Sequence, residues 1–153
     1  LKEDIFLESK IKVLQLPYCI NYNPQTNFYY AKEESNIEVN PYGRSEGTYT
    51  KYASLDDKID GLHFYTWFIK TGRGRATDDA ALEIRNNIIT RDEGVALVKK
   101  YDGEFPKLFF NEILQYLDMS KDEFFETIDE FRPNHLWGKN GKNWELKYAV
   151  WKE

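Results

Sequence analysis

A compact, mainly α domain of about five to six helices, with a short N-terminal strand and a C-terminal β-hairpin, is the fold this sequence predicts. Three observations carry the expectation. A hydroxyl residue stands three places before an acid at Ser54/Asp57, Thr90/Glu93 and Ser120/Glu123, the spacing at which side chain and backbone cap each other at a helix start. Apolar residues then recur at helical spacing behind these starts. Near the end, Leu136-Trp137 and Trp144-Glu145-Leu146 flank Asn140-Gly141, the pattern of two short strands around a tight turn.

Taken in order, the run Ile11-Lys12-Val13-Leu14-Gln15-Leu16 alternates enough for a strand and stops at Pro17. Asn23-Pro24 opens a short helix ending near Glu34. From Asn36 to Thr50 periodicity is lost and Asn40-Pro41, Gly43 and Gly47 gather, so this stretch reads as an ordered loop or a linker. Ser54 starts a helix over about Leu55 to Lys70. One stripe of it carries Ile59, Leu62, His63, Thr66, Trp67 and Lys70, with Phe64, Tyr65 and Phe68 beside them, so it should be the central, buried helix. Thr77 caps the next helix, with Asp78 and Asp79 in its first turn, and Asn86-Asn87 ends it. Another runs from Arg91 to Tyr101 and stops at Asp102-Gly103. Pro106 starts a fourth, with Phe109, Phe110, Ile113, Leu114 and Leu117 on one face. Ser120 opens a fifth whose Phe124, Phe125, Ile128 and Phe131 face inward until Pro133. Residues 1–40 therefore read as an N-terminal extension and 41–153 as the helical domain.

Composition narrows the classes of function. A chain of 153 residues suits one domain, and 4 Trp, 11 Tyr and 10 Phe supply the area for a core. With 21 basic against 26 acidic residues the net charge is −5, which argues against a general nucleic-acid binder, since that needs a cationic surface. One cysteine, Cys19, excludes an internal disulfide and a multi-thiolate zinc site, and two histidines, His63 and His135, exclude a histidine-rich metal cluster. No metal site is expected. The sequence has no run of eighteen apolar residues and no signal-peptide pattern at Leu1-Lys2-Glu3-Asp4, so a cytoplasmic protein without membrane insertion is expected.

Two segments hold the residues best suited to chemistry. In Lys70-Thr71-Gly72-Arg73-Gly74-Arg75-Ala76-Thr77-Asp78-Asp79, glycines permit close backbone approach, arginines offer forked donors and a helix N-terminus adds positive potential. Phosphate or carboxylate binding is one reading. Pairing of the arginines with Asp78, Asp79 and Glu83 is the other. The second segment, Gly43-Arg44-Ser45-Glu46-Gly47-Thr48-Tyr49-Thr50-Lys51-Tyr52 followed by Asp56, Asp57 and Asp60, is dense in groups that hold sugar hydroxyls, or is a helix-entry loop whose acids serve as caps. His63, amid aromatics and one turn from Asp60, reads as a core histidine or as a positioned acid-base group. Cys19 reads as a small buried hydrophobe.

The run of Gly43 to Tyr49, Tyr52-Ala53-Ser54-Leu55-Asp56-Asp57-Lys58-Ile59-Asp60-Gly61, Gly72 to Ala81 with Glu83-Ile84-Arg85, Ile89-Thr90-Arg91-Asp92-Glu93 and Tyr101-Asp102-Gly103-Glu104-Phe105-Pro106 resembles the carboxy-terminal part of the N-acetyl sugar amidotransferases of bacterial surface-polysaccharide, lipopolysaccharide and O-antigen biosynthesis. The likeness extends from about Pro24 to Trp144 and to the closing Trp144-Glu145-Leu146-Lys147. It implies an ATP-pyrophosphatase (PP-loop) parent, using ATP with Mg, that adenylates an acetamido oxygen and lets ammonia displace AMP to leave an acetamidino group. It implies a nucleotide- or lipid-linked N-acetyl sugar as acceptor. Glutaminase and cyclase-like subunits would supply the ammonia. The Ser-Gly-Gly-Lys-Asp-Ser type loop and the cysteine cluster of that family do not occur in these 153 residues. The chain is accordingly expected to be the last two-fifths or so of such an enzyme, inactive alone and without a tightly bound cofactor, with 1–40 the end of the missing α/β domain. By the same resemblance Lys70, Arg73 and Arg75 are assigned to phosphate, and Arg44, Glu46, Tyr49, Asp56, Asp57 and His63 to the sugar; no catalytic residue is assigned. Two other roles stay open: a non-catalytic docking module that meets the partner subunits through the Trp144-to-Trp151 tail, and a structural cap on the catalytic domain.

Overall fold

In the computed structural model, which describes residues 12–20, 22–141 and 143–152, six α-helices and one hairpin account for the regular structure, with a 3-10 turn before them at Leu16–Tyr18. The helices are α1 (Pro24–Glu34), α2 (Asp60–Thr71), α3 (Arg75–Arg85), α4 (Arg91–Tyr101), α5 (Phe110–Leu117) and α6 (Lys121–Glu130). Strands β1 (Trp137–Asn140) and β2 (Asn143–Leu146) pair antiparallel, and a 3-10 turn follows at Val150–Lys152. The mainly α architecture is as the sequence predicts. No helix among the described residues is long and apolar enough to cross a membrane.

Capping explains the best-anticipated elements. Thr90 and Ser120 each accept the N–H of the residue three places on and receive a carboxylate in return, from Glu93 and Glu123, so both expected capping boxes exist. The Asn23 side chain accepts the N–H groups of Gln25 and Thr26 at the start of α1. Gly72, at φ 73°, ends α2 in the left-handed region that glycine tolerates.

The core forms where α2 meets α6 and the hairpin. Tyr65, Phe68 and Ile69 pack with Phe124 and Ile128, Trp137 and Leu146, and Ala149. Trp137 faces Leu146 in the strand register and lies edge-on to Phe68 at 5.5 Å. Its indole N–H donates to the Ile69 carbonyl at 2.7 Å, satisfying one of the last-turn acceptors that α2 cannot pair internally. On the other side, α3 and α4 run close together because Gly94 lies under Ile84 and Ala80; a Cβ there would come within 2.7 Å of the Ile84 Cδ1.

Several expectations are corrected. The run at residues 12–16 is exposed and forms no strand; with no neighbouring strand it has no ladder to join, and Ile11 lies outside the described residues. Helix α2 begins at Asp60, not Leu55, because Ser54 has φ 55° and cannot cap; the Asp57 carboxylate accepts the N–H groups of Ile59 and Asp60 instead. The buried side of α2 is Gly61, Phe64, Tyr65, Phe68 and Ile69, which leaves His63 and Lys70 on the exposed side. Thr77 lies inside α3, whose N-cap is Gly74. Pro106 does not start α5; it is fully buried, against Gly61, four residues before the helix. Phe125 and Phe131 are exposed, Phe131 because it is already the C-cap of α6. Cys19 is exposed, not buried. The hairpin reversal follows Asn140, which is still paired with Asn143.

Gly47 provides the sharpest test of this packing. It sits at φ 89°, and a Cβ would lie 2.8 Å from the Phe64 Cβ on the core side of α2. Gly47→Ala should therefore combine a left-handed penalty of about 1 kcal/mol with overpacking of about 1–3 kcal/mol. Urea unfolding followed by circular dichroism should show the midpoint falling at an unchanged slope; a midpoint equal to the parent's would contradict the placement of Gly47 against Phe64.

Candidate functional site

Residues 36–53 have no helix or strand, so beyond a few turn bonds of their own, such as Asn40 N–H to the Lys51 carbonyl, their polar groups depend on side chains from elsewhere or on solvent. Arg44 does much of this. Its guanidinium makes a two-pronged pair with Glu104, at 2.6 and 2.8 Å, donates to the Ser45 and Thr48 carbonyls, and lies 4.7 Å over the Tyr101 ring. The Glu104 carboxylate also accepts the Gly47 N–H. Four residues on, Thr48 is completely buried and donates its hydroxyl to Asp79 at 2.9 Å, while Arg75 donates to the other Asp79 oxygen, also at 2.9 Å. Tyr49 donates to Glu83 at 3.0 Å; burial, with that carboxylate beside it, pushes the phenol well above its usual range. Burial and the nearby Asp79 and Glu83 carboxylates push the Tyr52 phenol up to about 12.

This anchored segment forms one wall of a cleft of about 360 Å³. Asn40, Tyr42, Ser45 and Glu46 line that wall; Asp56, Asp57 and Lys58 line the entry to α2; Pro106, Leu108 and Phe109 close the far side. Glu46 bridges the walls by accepting the Leu108 N–H at 2.8 Å. Tyr42 and Phe109 meet edge to face at 5.4 Å. Asp56, Asp57 and Asp60 bring carboxylate oxygens within 4.8 Å of one another, and the first two are exposed. Carboxylates, an amide, a hydroxyl and an aromatic pair converge on a concave surface, which is the donor and acceptor set that sugar hydroxyls and an apolar ring face require.

The residues singled out in the sequence fall into separate places. Glu46, Asp56 and Asp57 line the cleft. Arg44 and Tyr49 lie behind its wall in the pairs just described. Lys70 and His63 line a shallow depression on the exposed side of α2 with Trp67. At about 100° per residue, Lys70 is half a revolution of the helix away from Gly61, which lines the cleft. Arg73 is exposed, 3.6 Å from Asp78. Arg75 pairs with Asp79 and lies 5.5 Å from the Phe64 ring centre. Tyr42, Lys58 and Phe109 were not anticipated as cleft residues. The turn residues Asn40-Pro41 mark the loop that carries Tyr42, and no local signal marks Phe109.

The arginine loop has its own anion. The N-terminus of α3 is met by Asp102, whose carboxylate accepts the Gly74 N–H at 2.8 Å, the Thr77 N–H at 3.2 Å and the Thr77 hydroxyl at 2.5 Å. Burial raises the Asp102 carboxyl above its ordinary value despite these bonds. The described residues of this loop do not fit an ATP triphosphate, because the amide donors that would cradle it are turned to Asp102.

A family model described as "LPS biosynthesis protein WbpG-like, C-terminal domain" matches residues 46–150. No curated protein matches the chain.

The Arg44–Glu104 pair makes the wall pH-dependent. Burial pushes the Glu104 carboxyl up, but the hydrogen bonds from Arg44 and Gly47 outweigh it and hold it below its ordinary 4.5. A carboxylate depressed in the folded state adds stability above its unfolded pKa and loses it as pH falls through the folded value. Glu104→Gln should thus lower stability by about 1–2 kcal/mol near pH 7. In urea titrations the gap between parent and variant should shrink as pH is taken from 4.5 downward. A gap of the same size at about pH 3 would show that Glu104 is not held ionised by Arg44.

Proposed function

The chain belongs to the family of WbpG-like C-terminal domains of LPS biosynthesis proteins, and from that membership we propose that it is the acceptor-binding C-terminal domain of an ATP-dependent amidotransferase that converts an acetamido sugar to an acetamidino sugar. One observation carries the assignment of acceptor binding: the cleft between the 40–46 wall, the entry to α2 and Phe109. Glu46, Asp56 and Asp57 accept hydroxyl hydrogens there, and the Tyr42–Phe109 pair offers a ring face to the apolar side of a pyranose. Arg44 and Tyr49 act on the sugar through the wall they hold. Lys70 and Arg73, exposed on the other side of α2 and after it, are the cations left to meet phosphate at a boundary with a neighbouring domain or subunit. ATP activation and ammonia supply, in this reading, belong to the parent enzyme and its glutaminase and cyclase-like partners. No reaction step is assigned to a residue of this chain.

An amide-detected NMR titration of the chain with N-acetylglucosamine tests the reading. Shifts should concentrate at Asn40, Tyr42, Asp56 and Phe109, and Tyr42→Ala and Asp56→Asn should each weaken binding about five- to tenfold, the worth of one good contact. Shifts confined to Tyr148, Val150 and Trp151, or none, would remove the sugar assignment and leave docking or capping.

A further inference from the structure

We propose that residues 13–31 form the contact face of a symmetric pair, and that its occupant is the same face of a second copy of this chain. Residues 13–31 hold no Asp, Glu, Lys, Arg or His, in a chain that is 31% charged. They also hold the densest run of exposed large apolar side chains among the described residues: Leu14 is 78% exposed, Tyr18 90% and Tyr30 66%, with Val13, Leu16 and Tyr29 exposed beside them. No residue of α1 is buried. The helix is held from one side, where Phe28 stacks on Tyr52 at 4.8 Å and the Asn86 side-chain amide donates to the Tyr22 carbonyl at 3.3 Å. Tyr30, about 200° round the helix from Phe28, faces away from that anchor.

The chain carries more surface than its mass requires. It exposes 11275 Å², whereas a compact monomer of 18.2 kDa exposes about 8,100 Å². Granting the residues outside the described ranges all the surface of an unfolded chain accounts for about 2,400 Å² of the difference. The excess that remains, about 800 Å², matches what one partner contributes to a standard protein–protein interface.

Charge decides the occupant. Each chain carries a net charge of −5, so two copies repel unless they meet on faces without charge. Tyr116 and Phe125, exposed on α5 and α6, have Glu112, Asp122 and Glu126 as neighbours in the chain, and two copies meeting there would bring like charges together. A strongly acidic or basic partner finds no complementary charge on residues 13–31, whereas an identical uncharged face meets its equal. Tyrosine suits such a contact, because its ring buries a large area while its hydroxyl is satisfied by water when the copies separate. A two-fold pairing uses the same residues on both sides and closes at two copies.

Sedimentation velocity and light scattering of the whole chain test this. The weight-average mass should climb from 18.2 kDa toward twice that value as concentration rises through the micromolar range. High salt should not reverse the climb, since no charge is part of the contact. Leu14→Glu and Tyr30→Glu should each weaken pairing at least about tenfold by setting like charges face to face, while Tyr116→Glu on α5 should leave it unchanged. All three side chains are exposed, so each variant should keep the circular dichroism of the parent. A mass of 18.2 kDa at every concentration up to about 0.5 mM overturns the proposal. If the chain that stays single then cosediments with phosphatidylcholine vesicles, the face belongs to a membrane instead. Association that Tyr116→Glu weakens and the other two leave untouched overturns the proposal as well, placing the contact on α5.

Discussion

A segment without a ladder or a helix of its own is held in place by two carboxylates from the helices behind it. Glu104, just past α4, grips Arg44 and the Gly47 N–H, and Asp79, inside α3, takes the Thr48 hydroxyl and Arg75. Both pairs are partly withdrawn from water, so removing one partner leaves the other charge short of a hydrogen-bonding partner. The cleft depends on this arrangement more than on any residue that lines it. Asn40, Tyr42 and Glu46 have fixed positions because Arg44 and Thr48, on the same stretch of chain, are tied down.

The same accounting explains the arginine loop. A glycine-rich turn into a helix, with two arginines, has the composition of a phosphate cradle, but composition says nothing about which anion fills it. In the folded chain the amides face Asp102, which arrives from the end of α4, and Arg75 turns back to Asp79 one turn along its own helix. An internal carboxylate satisfies the helix end at every moment, whereas an external ligand does so only when bound. Lys70 and Arg73 are the members of the group that remain exposed.

How far the sequence could be read follows from the range of the forces involved. Helices α4 and α6 were legible because each carries both halves of a capping box within four residues, and the hairpin because its signal spans about ten. The starts of α2, α3 and α5 were misplaced where the deciding group is not the nearest hydroxyl or proline. Asp57 replaces Ser54, Asp102 acts on α3 from twenty-five residues away in the chain, and Pro106 is held against Gly61. The aromatic richness of α2 pointed to a central helix, but periodicity alone did not say which side faced in, and His63 proved to be outside. For the cleft, Glu46, Asp56 and Asp57 could be picked out as a local cluster. Phe109 could not be tied to it, since only tertiary packing brings the approach to α5 opposite the entry to α2.

The indole of Trp137 lies sixty-eight residues beyond the Ile69 carbonyl it satisfies. Until the hairpin has left the ribosome, α2 has no cover for Phe68 and Ile69 from that side, however well α3 and α4 have already paired. The core around α2 is therefore complete only once the hairpin has been made. Its central helix must wait, apolar face uncovered, for nearly the whole of the described chain to be made, and that interval is when a chaperone or a neighbouring nascent chain has most to bind.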